Sequence, residues 1–311
     1  MTFTRPGHHC RIRPRAGRRC WGACVADAAS LGLHGLYSPE RIALIERTGD
    51  ILFRQPDRCH YDGQPGYFAH EGRRAGMPSQ YGEHLALVAA LLRRDGGQSP
   101  AAHQRDFLAR FGPGGSWVGY ADRPTRALVA RLLSEAGEVP AVTGIDDDQM
   151  PVLSVVAPLH DAGASRGQVS DSVRVLSTNA EAKAGALALF DLLAAFERSG
   201  IDLLDASSRR ACLGAIAESA GSGLDDLLLQ RVNLPPLSPA ELAERFGAAC
   251  HIRQGLPIAF HLAAHMDDFG KVLRDNVRIG GDSCGRAMAI GALAGIVFGV
   301  PEKFGARLTA G

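Results

Sequence analysis

The stretch that most constrains this chain is residues 276–299, N-V-R-I-G-G-D-S-C-G-R-A-M-A-I-G-A-L-A-G-I-V-F-G. Its second half places Gly291, Gly295 and Gly299 at i, i+4 and i+8, on one face of a helix. Nothing projects from that face, so a second helix can approach almost backbone to backbone. Each glycine costs a helix about 1 kcal/mol relative to alanine, and only close packing offsets that. The apolar run 287–300 falls short of the ~20 residues that span a bilayer and is flanked by Arg286 and Glu302. It reads as the central buried helix of a soluble protein. The first half, Gly280-Gly281-Asp282-Ser283, is a glycine turn that sets an acid at the helix N-terminus, where free N–H groups and partial positive charge gather. Two roles fit. Asp282 or Ser283 caps the helix, or the glycines let the backbone approach a ligand while Asp282 holds a metal or a sugar hydroxyl. A dinucleotide site does not fit, because the pattern is not G-x-G-x-x-G and no strand precedes it.

Composition excludes several classes. Lys+Arg 34 against Asp+Glu 33 leaves a formal charge of +1, so no overall field points to nucleic acid. Basic bias is confined to residues 1–19, where Arg5, Arg11, Arg13, Arg15, Arg18 and Arg19 stand without an acid or an apolar run. This is not a secretory signal. It reads as a disordered basic arm, or as a targeting or nucleic-acid arm, ahead of one domain over residues 20–311. The cysteine count is odd, 7, and the spacing irregular, which suggests reduced thiols and a cytoplasmic protein. His8, His9, Cys10, Cys20 and Cys24 lack the C-x-x-C spacing of a zinc site. Almost every periodic segment reads as helix, so the expected class is all-α.

Three further segments set acids at turn-to-helix junctions. Residues 21–33 form a small-residue helix that matches the C-terminal one in texture and could pack on it. It carries one acid, Asp27, which needs a partner because an unpaired buried carboxylate costs several kcal/mol; His34 follows, as a loop histidine tied to backbone or as a ligand contact. After a proline- and glycine-rich loop over 51–78, Ser79-Gln80-Tyr81-Gly82-Glu83-His84 leads into a helix over 85–94. Glu83 is there either as an ordinary first-turn acid or as a ligand. Gly144-Ile145-Asp146-Asp147-Asp148-Gln149 opens a helix over 150–159, and three successive acids exceed what capping needs. Residues 103–111 and 125–136 read as amphipathic scaffold helices, and Ser238-Pro239-Ala240-Glu241 as a capping box.

These segments resemble the ADP-ribosylglycohydrolase family, in its order and across nearly the whole chain. The C-terminal turn is similar to the family's G-G-D-T-D-T and closer to the G-G-D-N-C-A-R-G of its J-crystallin-like branch, with Gly280, Gly281, Asp282, Cys284 and Arg286 in place. Residues 79–84 resemble that branch's S-x-Y-G-D-Q through Ser79, Tyr81 and Gly82, with Glu83 and His84 at the last two positions. A similar G-x-D-D-x-Q matches the 144–149 segment, and Asp27 and His34 fall in the N-terminal signature. The resemblance implies a compact orthogonal bundle of helices with a central acidic cleft, one or two Mg2+ ions, and hydrolysis of an N- or O-glycosidic bond to ADP-ribose, on a small molecule or a protein side chain.

It assigns Glu83, Asp147 and Asp282 to catalysis and Glu83, Asp146 and Asp282 to metal. Substrate contacts fall to Asp27, His34, Tyr81, Gly82, His84, Asp148, Gln149, Asn276, Gly280, Gly281 and Arg286. Cys284 and Gly285 stand where the family has an acid and a threonine, and a thiol is a poor ligand for Mg2+. Two other readings follow: a non-catalytic ADP-ribose-binding or crystallin-like protein on the same fold, and an unrelated enzyme with Cys284 as nucleophile and His84 as base. The first reading expects Glu83, one of Asp146 to Asp148, and Asp282 to lie within one ligand's breadth. No partner nucleic acid or membrane is implied, and nothing sets the oligomeric state.

Overall fold

The computed structural model describes residues 17–95, 99–134, 143–198 and 200–309. Most of the expected basic arm lies outside them. Helix α1 (Arg18–Ser30) starts two residues ahead of the expected domain boundary and continues as a 3-10 turn to Leu33. The described residues contain fifteen α-helices and no strand; three isolated bridges, Leu36 with Gly66, Ile145 with Ser177 and Gln149 with His251, tie loops together. None of the described helices is long and apolar enough to cross a membrane.

The helices start where side chains can satisfy their free N–H groups. Ser38 caps α2 (Pro39–Glu46), with proline in its first turn. Next come α3 (Gln80–Asp95), α4 (Pro100–Phe111), capped by Ser99, and α5 (Arg123–Ser134). α3 begins five residues earlier than the apolar pattern suggested, so residues 80–84 are already helical. The expected helix over 150–159 divides into a 3-10 segment, Met150–Val155, and α6 (Val156–Asp161). Ser165 and Gln168 form a capping box on α7 (Arg166–Leu176), and Asn179 caps α8 (Ala180–Phe196). Asp205 caps α9 (Ala206–Ala217); α10 (Asp225–Asn233) follows, and the capping box of Ser238 and Glu241 starts α11 (Pro239–Phe246). α12 (Ile252–His265), α13 (Phe269–Ile279), α14 (Ser283–Phe298) and α15 (Glu302–Gly305) complete the chain.

α14 is the axis. α1 runs along it, and α3, α8, α12, α13 and the 150–155 turn surround it. Gly22 and Gly291 make the α1 contact: a Cβ on either would collide with the backbone carbonyl of the other. Gly299 does not share this role. It ends α14 at φ +70 with open space around it, the usual task of a glycine after a helix.

Gly22→Ala and Gly291→Ala should each destabilise the protein by about 1–3 kcal/mol, the usual effect of overpacking a filled core. Gly167→Ala, in an open part of α7, should be neutral or stabilise by up to about 1 kcal/mol. Urea unfolding midpoints of the three variants check this.

Candidate functional site

The buried carboxylates among the described residues are Asp27, Asp122, Asp147 and Asp282. Asp282 is the N-cap of α14. Its Oδ1 accepts the Gly285 amide at 2.8 Å, and its Oδ2 accepts the Tyr81 hydroxyl at 2.8 Å. His34 Nδ1 lies 3.4 Å from Oδ1. Capping and side-chain fixation are thus met by one group. The turn before it is locked: Gly281 N–H donates to Leu36 O, Gly35 N–H to Gly281 O, and Asp282 N–H to Ala248 O, all within 2.9 Å. Gly280 and Gly281 have φ of +78 and +59, and a Cβ on them would meet the carbonyls of Leu36 and Ala248. Their freedom serves the protein's own backbone. Arg286, fully buried, donates to Asn276 Oδ1 at 2.9 Å, to Asn276 O at 3.1 Å and to the Gly280 carbonyl, while Asn276 Nδ2 donates to Ser283 O at 2.8 Å. Both residues therefore brace the turn.

Asp27 faces this turn from α1. It accepts the Ser79 amide at 2.8 Å and the Ser79 hydroxyl. Burial pushes its carboxyl up to about 7, although the Ser79 bonds pull it down. A Cβ on Gly82 would sit on this carboxylate, so Gly82 makes room for Asp27.

Helical phase separates the remaining candidates on α3. Glu83 lies about 200° around the helix from Tyr81, and its carboxylate is 3.4 Å from Arg110 of α4. His84 bonds Ser154 Oγ at 2.7 Å and His103 Nε2 at 2.8 Å, inside a buried network with both imidazoles held neutral by burial. Cys284 instead turns its thiol to the Asp27 carbonyl at 3.7 Å.

The acids of the 146–148 run diverge. Asp146 is exposed and accepts from Asn179 at 2.9 Å; Asp148 pairs with His251 at 2.8 Å. Asp147 points inward: it accepts the Gln149 amide at 3.0 Å and Arg123 at 2.6 Å, and burial raises its carboxyl. Gln149 contributes through its backbone. Asp147 and Asp282 both act on Cys250, whose thiol is pushed up to about 12 by burial, then by Asp282, with Asp122 and Asp147 adding to it.

Asp122 escaped the sequence reading. It precedes α5 and accepts the Thr125 amide at 2.8 Å, while its own amide donates to Gln80 at 2.6 Å. Its Oδ2 is buried with no hydrogen-bond partner, and burial, with a smaller contribution from Asp282, raises its carboxyl. The signal was present: an acid before Arg123-Pro124-Thr125 is one more turn-to-helix junction. The aromatic shell was missed too. The chain has 5 tyrosines. Tyr61 donates to His34 O at 2.8 Å, Tyr67 lies 6.4 Å from the His34 ring and 5.5 Å from Tyr120, and the Asp282 charge acts on Tyr37, Tyr67 and Tyr81.

The residues expected to hold Mg2+, which takes near-octahedral oxygen ligands, already have protein partners: Glu83 pairs with Arg110, Asp146 accepts from Asn179, and Asp282 accepts from Tyr81 and the Gly285 amide. Among the described residues, the grouping able to hold an ion is His34, His70 and Cys284, all buried, with one donor atom from each within 4.8 Å of the others.

Asp27 carries the site's clearest pH dependence. Its folded carboxyl lies above the unfolded value of 3.8. Its contribution to stability is therefore full below pH ~4 and is lost as pH rises towards ~7. Asp27→Asn should flatten the melting temperature against pH across that window, and an unchanged slope would contradict the assignment.

Comparison with known proteins agrees with this architecture. The ADP-ribosylglycohydrolase family model matches residues 11–310. A solved "ADP-ribosylglycohydrolase-related protein complex" superposes with a TM-score of 0.64 at 18% identity, covering 94% of this chain and 91% of that one. Comparison with curated proteins gives no match. On the family match over nearly its whole length, the chain belongs to the ADP-ribosylglycohydrolase family.

Proposed function

We propose that the chain is a glycosidase-type hydrolase that cleaves an N- or O-glycosidic bond at the anomeric carbon of an ADP-ribosyl or related ribosyl group. The observation that carries this reading is the set of buried aspartates around the Tyr81–Asp282 bond, in a chain of this family. Such hydrolysis passes through a cation-like transition state. Asp282, fixed by Tyr81 and the Gly285 amide, would stabilise that charge without reorganising. Asp122 has a free oxygen and a raised carboxyl, the properties of a group that delivers a proton to the leaving atom. Asp147 would orient the water. Arg123, largely exposed beside it, suits a phosphate, and Tyr37, Tyr67 and Tyr120 offer faces to a nucleoside. No step is routed through Mg2+.

Within the family, the branch nearest in motif is the J-crystallin-like one, on Ser79, Tyr81, Gly82, Cys284 and Arg286. The free thiols of Cys20, Cys59, Cys212, Cys250 and Cys284 support a cytoplasmic setting. A second reading, an ADP-ribose binder without turnover, is favoured by one observation: Asp27, Asp147 and Asp282 are already held by protein donors.

Turnover of ADP-ribosyl-arginine, ADP-ribosyl-serine and O-acetyl-ADP-ribose, each with Mg2+ and with chelator, tests the hydrolase. Asp282→Asn should lower kcat/KM by on the order of 100-fold or more. Wild-type activity should fall as pH rises through the raised Asp122 pKa, and Asp122→Asn should remove that alkaline limb. Calorimetric binding of ADP-ribose without turnover of any substrate would replace the hydrolase by the binder.

A further inference from the structure

We propose that His34, His70 and Cys284 form a binding site for a borderline-soft divalent transition metal of the Zn2+ type. The three come from distant parts of the chain. His34 follows the first 3-10 turn, His70 lies in the loop before α3, and Cys284 is in the first turn of α14. One donor atom from each falls within 4.8 Å of the others, and all three residues are buried. Zn–N bonds of about 2.0–2.1 Å and Zn–S bonds of about 2.3 Å put tetrahedral donors about 3.3–3.6 Å apart, so the set closes on an ion with shifts of about an ångström.

His70 is the independent observation. It is 2% exposed, yet neither ring nitrogen has a hydrogen-bond partner. Buried imidazoles in native proteins are nearly always satisfied, and an orphan calls for an unseen partner. Its ring lies 5.0 Å from the His34 ring, centroid to centroid. The Cys284 thiol has only a long contact, to the Asp27 carbonyl at 3.7 Å, which a metal–sulfur bond can replace. The charges of Asp27 and Asp282 act on this thiol, opposing those of Arg286 on His34 and Arg73 on His70. His34 Nδ1 accepts the Cys284 backbone amide at 3.4 Å and stands 3.4 Å from Asp282 Oδ1, which holds the imidazole beside Cys284.

Two nitrogens and a sulfur discriminate against Mg2+ and suit Zn2+. On binding, the metal–sulfur bond forms and the thiol proton passes to solvent. Three protein donors leave a fourth tetrahedral position for water or a ligand atom. The inference stands apart from the hydrolase reading, since its test reads metal and not turnover.

Chelator-stripped full-length protein is titrated with Co2+ as a spectroscopic stand-in. One equivalent should bind, with a thiolate-to-cobalt charge-transfer band in the near ultraviolet. Zn2+ should abolish the band and excess Mg2+ should not. Cys284→Ser should lose the band, and His70→Ala should weaken binding by at least about tenfold. Replacing His8, His9 and Cys10 together by alanine should change nothing. In the wild-type chain, Zn2+ should slow alkylation of Cys284, read by mass spectrometry, which keeps the test independent of how the variants fold. No stoichiometric cobalt, binding indifferent to both Cys284→Ser and His70→Ala, or unchanged alkylation would each overturn the proposal.

Discussion

The guanidinium of Arg286 organises the centre of this protein. A buried charge costs several kcal/mol unless its donors are met, and here they are met by the Asn276 side chain and by carbonyls of residues 248, 276 and 280. Burial lowers its pKa to about 10, so it stays charged at neutral pH. The carbonyls must point inward, which forces the 280–281 turn into positive φ and fixes Asp282 one helical turn before the arginine. Position and charge of the central carboxylate thus follow from one buried cation. Breaking the arrangement from either side strands an uncompensated charge, and that gives the turn its single geometry.

Around this turn, the site is shaped by missing side chains. Gly22 and Gly291 let α1 lie against α14, which brings Asp27 and Cys284 onto the same few ångströms of space. Gly82 leaves a gap that the Asp27 carboxylate fills, and Ser79 reaches it from the same strand of chain. Helix propensity is sacrificed at each glycine, and the return is contact between polar groups that ordinary helix spacing, 8–10 Å between axes, would keep apart.

Much of the fold was legible because its signals are local. Capping boxes, N-cap serines and the glycine stripe each specify a helix end or face from a few residues, and the all-helical class followed. The site was legible only to the level of the junctions. A junction acid announces that it stands at a helix start, but not the direction it faces. Tyr81, Gly82 and Glu83 are successive residues, and the 100° step between them sends one to Asp282, one against Asp27 and one to Arg110. Asp146, Asp147 and Asp148 part in the same way. Gly299 matched the stripe in spacing yet ends the helix. His70 had no local signal, since its meaning arises from loop packing against residues 34 and 284.

The electrostatic balance of the centre connects both functional inferences. Among the described residues four aspartates are buried, with Arg286 in their midst, Arg73 acting on Asp27 and Arg123 at the rim. Full ionisation would leave excess negative charge in a medium that screens it poorly. The carboxyls of Asp27, Asp122 and Asp147 are all raised by burial, that of Asp27 to about 7, so part of the compensation comes from protons held above the usual carboxylate range. A site that must retain either a proton or a cation is suited to hand that proton to a departing group, or to exchange it for a metal. Asp122, with an unpartnered oxygen, is placed for the first; His34, His70 and Cys284, beside Asp27 and Asp282, are placed for the second. A metal bound there would add positive charge next to Asp27 and draw its raised carboxyl down. The ion and the protons are therefore linked occupants of one acidic centre.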